Sequence, residues 1–186
     1  MNTHRTQVAG FTMIEMVVTL SILGILIAIA VPSMSGWLAN NRVRTTAQSL
    51  LNGMQLAKAE AIRNNQRVRF SLDGTGGAWT VRRSIGGCNF DTAVATSLVQ
   101  ADTTTSHNAG SIISALADDG NAASTFIFGA NGFQTCDIAA QFRTLTVSNT
   151  AAENTRRIAT SVSGRLLLCD PDLNSKLSSG DPRKCP

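Results

Sequence analysis

The run from Phe11 to Val31, FTMIEMVVTLSILGILIAIAV, constrains this chain more than any other feature. It is apolar almost throughout, and about 21 residues at the helical rise of 1.5 Å reach about 30 Å, the thickness of a bilayer core. One residue breaks the pattern. Glu15 lies inside the run, where a carboxylate costs up to about 3 kcal/mol at the membrane centre, less near the end, and is as a rule paired or turned toward protein.

A cleaved secretory signal is the simpler account, because AIA at Ala28 to Ala30 has the small residues of a cleavage site. The run exceeds the usual apolar region of about 7 to 15 residues, and a signal has no use for Glu15. The preceding MNTHRTQVAG carries Arg5 and no acidic residue, so the positive-inside tendency keeps it cytoplasmic and sends the rest of the chain outward. Pro32 then removes a helical hydrogen bond and predicts a kink, or else a plain boundary between two helices.

From Ser33 to Asn65 the apolar positions recur at spacings of three and four, which predicts an amphipathic helix continuous with the span. The rod from Phe11 to Asn64 would be about 80 Å long, with Ala47, Leu51 and Met54 in the core of a globular head. After Asn65 the period changes to two. RVRFSL and AWTVRRS flank the turn DGTGG, and AVATSLVQ, TFIFGANGFQ, FRTLTVS, RRIATSV and LLLC follow as further strands. One long helix followed by several strands predicts an α+β fold, the helix packed on an antiparallel sheet. The stretch from Gly86 to Gly120 yields little beyond the strand in AVATSLVQ.

The bulk numbers exclude more than they assign. A length of 186 residues gives one modest domain plus an extension. The net charge of +4 comes from scattered basic residues, and the absence of tyrosine argues against a stacking platform for nucleic acid. Cys88, Cys136, Cys169 and Cys185 form no C-x-x-C pair and stand near no histidine at ligand spacing, so no zinc or other metal is expected. In an oxidising compartment four cysteines imply two disulfides with three possible pairings, of which position favours Cys88–Cys136 and Cys169–Cys185. His4 and His107 lack a carboxylate or nucleophile at catalytic spacing, Asp118 and Asp119 are adjacent, and GANG and GTGG read as turns. Neither catalysis nor a cofactor is expected.

The stretch G-FTMIE resembles the prepilin cleavage motif of type IV pilins and type II secretion pseudopilins. The resemblance implies that a membrane-embedded prepilin peptidase cuts between Gly10 and Phe11 and methylates the new amino terminus of Phe11. A glycine without a side chain lets the backbone approach a protease closely. It further implies that Glu15 pairs with the Phe11 amine of a neighbouring subunit during assembly; the bland alternative is a carboxylate that reaches the cytoplasmic interface. SLLNGMQLAKAEAIRNNQ resembles the helix-end signature L-x-x-A-R-x-E-A of the GspH/FimT group, with Lys58 in place of the usual arginine, and the order of the last strands is similar to that group.

The implied organisation is a leader over 1–10, a transmembrane and assembly helix over 11–32, an amphipathic helix over 33–65 and a periplasmic β-rich head over 66–186. The protein would cross the bacterial inner membrane once and then enter a filament with other pilins. The cysteine-bounded CDPDLNSKLSSGDPRKCP looks like minor pilins of the FimT and FimU kind, which implies a subunit at or near the pilus tip that primes assembly. The alternative is the minor pseudopilin of type II secretion. A further alternative is DNA binding in natural transformation. Some FimT proteins carry G-R-x-R, and here Gly164 and Arg165 are present but Leu167 replaces the second arginine. Arg156, Arg157, Arg165, Lys176, Arg183 and Lys184 form the candidate basic patch, whose affinity would fall with salt; cations on strand edges also serve simply to discourage sheet pairing.

Overall fold

In a computed structural model, which describes residues 11–74, 76–84, 87, 88, 90, 96–102, 110–171, 181, 184 and 185, the expected rod is helix α1, Met13–Asn64. Thr12 starts it: the hydroxyl accepts the Glu15 N–H at 3.3 Å and satisfies one orphan donor of the first turn. Asn65 ends it in the left-handed conformation at φ 52°, with Gln66 N–H returning to the Ala61 carbonyl at 3.1 Å, the pattern of a Schellman stop.

The axis of α1 does not run straight. Its parts Met13–Ile29 and Met34–Asn64 are inclined at 47°. Pro32, the expected kink residue, falls between them, where the side chains of 30–33 lie outside the description. By length and composition no single helix among the described residues is apolar enough to cross a membrane, whereas the bent pair together qualifies.

Among the described residues eight strands follow: β1 Val68–Asp73, β2 Ala78–Ser84, β3 Thr96–Asp102, β4 Ser111–Leu116, β5 Thr125–Phe128, β6 Thr144–Asn149, β7 Arg156–Thr160 and β8 Leu166–Cys169. They build two antiparallel sheets rather than the one expected, ordered β3-β2-β1-β5 and β4-β6-β7-β8. Strand β4 falls in the stretch from Gly86 to Gly120, where the sequence predicts only the strand in AVATSLVQ. The DGTGG turn joins β1 to β2 as expected, with Gly74 and Gly77 at positive φ.

The second half of α1 lies against both sheets. Val43, Ala47, Leu50, Met54, Ala57 and Ala61 meet Val68, Phe70, Trp79, Val81, Phe126 and Phe128 of the first sheet and Ile113, Leu145, Val147 and Ile158 of the second. Leu51 packs at the margin of this core. Phe142, from the β5–β6 connection, completes an aromatic cluster with Phe126 at 5.6 Å and Phe70 at 6.2 Å between ring centroids. Gly53 permits that approach: a Cβ there would stand 2.9 Å from the rings of Phe70 and Trp79.

Candidate functional site

Among the described residues, none of the core packs around the first half of α1. Every large apolar side chain from Met13 to Ile29 is between 49% and 90% exposed, and a Cβ on Gly24 would touch nothing within 4 Å. Phe11 is exposed at its start, while Gly10 lies outside the described residues. Glu15 stands in the first turn, where the positive end of the helix dipole favours a carboxylate. Thr12 and Glu15 also have the T-x-x-E spacing of a capping box, a pattern that reading Glu15 only as a misplaced charge passes over. Only its backbone N–H is engaged there; the carboxylate has no hydrogen-bond or ion-pair partner among the described residues. The segment thus presents an apolar shaft with one unspent negative charge near its tip.

At the other end of α1 the signature residues form a clasp. Lys58 Nζ donates to the Gly164 carbonyl at 2.9 Å, tying the helix to the β7–β8 turn. Gly164, at φ 69°, is packed so closely that a Cβ would lie 1.9 Å from the Gly132 carbonyl oxygen, so only glycine fits. Glu60 is buried and its two oxygens take Arg63 at 2.7 Å and Arg83 of β2 at 3.1 Å, while Asn64 donates to it at 2.9 Å. Paired and hydrogen-bonded, this carboxylate avoids the cost of an uncompensated buried charge. Its role as the joint between helix and first sheet is absent from the sequence reading, and its place in the L-x-x-A-R-x-E-A signature is the signal that would have found it.

Gln141 pins the free side of β5 in a similar way. Its Oε1 accepts from Ile127 N–H at 2.7 Å, and its Nε2 donates to the carbonyls of Thr135 at 2.7 Å and Asp137 at 2.9 Å.

The disulfides join Cys88 to Cys136 and Cys169 to Cys185, with Cα separations of 5.8 and 5.2 Å. The first ties the connection after β2 to the one after β5; the second fastens the chain's end to β8.

Of the candidate basic residues, two on β7 are engaged within the head. Arg156 is ion-paired with the buried Asp170, and Arg157 donates through Nε to Thr146 Oγ1 at 3.3 Å. Neighbours on β7, the two point to opposite faces of the sheet. Arg165 is exposed and Lys184 half-buried, whereas Lys176 and Arg183 lie outside the described residues. Asp118 and Asp119 stand in the turn after β4, not on a strand. The Asp119 carboxyl is held below its ordinary value of 3.8 by the Asn121 backbone N–H and then by the Asn121 side-chain amide.

Comparison with known proteins meets this geometry. The prokaryotic N-terminal methylation motif matches residues 5–31, and the model of the type II transport protein GspH matches residues 46–164. Among solved structures, the type IV minor pilin FimU of Pseudomonas aeruginosa is similar in two crystal forms. One has a TM-score of 0.50 at 15% identity, covering 70% of this chain and 93% of that one. The other has a TM-score of 0.49 at 14% identity, covering 69% and 96%. Comparison with curated proteins gives no match. The likeness to FimU at a TM-score of 0.50 carries the fold: an N-terminal helix packed on antiparallel sheet. The methylation motif implies a membrane-anchored pilin amino terminus through which such proteins assemble with other pilins. With the GspH model spanning more than half of its length, the chain belongs to the family of the type II transport protein GspH.

Proposed function

We propose that this chain is a minor pilin of a type IV pilus, incorporated at or near the filament tip, where it primes assembly. The observation that carries the reading is the exposed apolar half of α1 ending in a Glu15 whose carboxylate has no partner among the described residues, mounted on a head closed by two disulfides. A prepilin peptidase cuts between Gly10 and Phe11 and methylates Phe11. The processed chain waits in the inner membrane, spanning it once with its head in the periplasm, until Glu15 takes the Phe11 amine of an adjoining subunit as counter-ion. Pro32 accounts for the 47° inclination by removing a backbone hydrogen bond from the helix.

The cysteine-bounded loop before Cys185 favours the pilus. The match to the GspH model favours a second reading, the minor pseudopilin of a type II secretion filament. A strain lacking this chain separates them. Loss of surface pili, with secretion intact, is the outcome expected; intact pili with a secretion defect would replace the first reading by the second. Processing is checked by the intact mass of the membrane-extracted chain, which should begin at N-methylated Phe11. A chain beginning at Val31 would remove the anchor and the proposal with it.

A further inference from the structure

We infer that the end of the head remote from Phe11 is a docking surface for the head of another filament subunit, one that brings an apolar centre ringed by carboxylates. This rests on the reading of the chain as a filament subunit and specifies what that subunit meets above it. Three large apolar side chains gather at this pole from distant parts of the sequence: Ile62 on the last turn of α1, Phe133 between β5 and β6, and Val162 between β7 and β8. They are exposed by 51%, 51% and 46%. Scattered single apolar residues on a surface need no explanation, whereas a contiguous group calls for an occupant.

Their proximity is built into the backbone. Gln134 N–H donates to the Val162 carbonyl at 2.8 Å. A Cβ on Gly132 would stand 2.9 Å from Ile62, and one on Gly164 would stand 3.5 Å from the Cα of Phe133. Two loops therefore cross over the helix end at glycines with φ of 75° and 69°, and Asn131 Oδ1 holds the Phe133 N–H at 3.0 Å. A surface already fixed by the fold spends little ordering entropy on binding.

The charge around it selects the partner. Arg63 is 71% exposed at its side chain, Arg165 is exposed, and Lys58 and Arg83 lie behind them. Against these four cations stand, among the described residues, Glu60, which is buried between Arg63 and Arg83, and Asp137, exposed on the segment that follows Phe133. An apolar centre with a net positive rim is complementary to a protein surface that has an apolar centre and an acidic rim. A hydrated polyanion would use the rim and leave Ile62 and Val162 without a purpose.

The test uses the full chain in its own cells, with a photo-crosslinking amino acid at Val162. The expected adduct is to a different subunit, itself beginning with a methylated pilin amino terminus, through a peptide that contains Asp or Glu. Phe133→Asp should reduce the adduct about tenfold, and Arg165→Glu by less, while processing at Phe11 and thermal unfolding are unchanged. If Phe133→Asp proves unstable, Ile62→Lys, on the exposed side of the last helical turn, gives the same reading. Adducts confined to lipid, DNA or a second copy of this chain would overturn the inference, as would a yield indifferent to both variants. Absence of the wild-type chain from sheared filaments would overturn the filament reading itself; presence there without Val162 adducts would overturn the docking surface alone.

Discussion

The two halves of α1 share one backbone and live in opposite environments. From Val43 to Ala61 the apolar positions on one face are sealed against two sheets; from Met13 to Ile29 they are open on every side. Burying a large apolar side chain contributes about 1.5–3 kcal/mol. The second half gains this within its own chain, whereas the first must gain it from lipid or from neighbouring subunits. Stability of the head and assembly of the filament are therefore separable along a single helix, and substitutions in the two halves should sort accordingly.

The strongest contrast is in apolar truncation. Phe126→Ala empties the centre of the aromatic cluster and should cost about 3–5 kcal/mol in thermal or denaturant unfolding. Leu23→Ala, in the open half, should leave the head's transition where it is. Equal losses would mean that the halves are coupled.

Removing the bridge between Cys169 and Cys185, separated by 16 residues, should cost about 3 kcal/mol in the chain-entropy account. Unfolding of the Cys169→Ser, Cys185→Ser double variant measures it. No effect on the membrane association of the first half is expected.

Two glycines sharpen the comparison within the helix itself. Glycine to alanine favours a helix by up to about 1 kcal/mol. At Gly53 the new methyl would press on the rings of Phe70 and Trp79, and overpacking of about 1–3 kcal/mol outweighs that gain. At Gly24, with nothing within 4 Å, alanine should not move the head's transition. Paired melting curves of the two variants decide it.

The smallest effect belongs to the exposed turn after β4. Hydrogen bonds from Asn121 lower the Asp119 carboxyl below 3.8. Its stabilisation is thus fully present above 3.8 and is lost as pH falls through the depressed folded-state value. Wild type and Asp119→Asn should differ slightly at neutral pH and converge in acid; a difference that grows on acidification would reverse the sign.

Legibility followed the range of the forces. The apolar run, the amphipathic second half of the rod and most strands are local periodicities, and they stand close to where the sequence puts them. Strand β4, SIISAL, eluded the reading because serines interrupt its apolar residues and it follows a Thr- and Ser-rich stretch. Assignment of strands to two sheets depends on pairings such as Phe70 with Phe126 and Ile113 with Val147, contacts between residues far apart that no local pattern encodes. At the candidate site, Glu15 and Phe11 stood out through their setting. The clasp of Lys58, Glu60, Gly132 and Gly164 did not, because its logic is the crossing of three remote segments.

The account turns on whether Glu15 works between subunits rather than within one, and its most direct measurement is the amount of Glu15→Ala chain in sheared filaments relative to wild type. The account predicts that the variant is processed, inserted and as heat-stable as wild type, yet lost from the filament fraction. Incorporation of the variant at the wild-type level would contradict it.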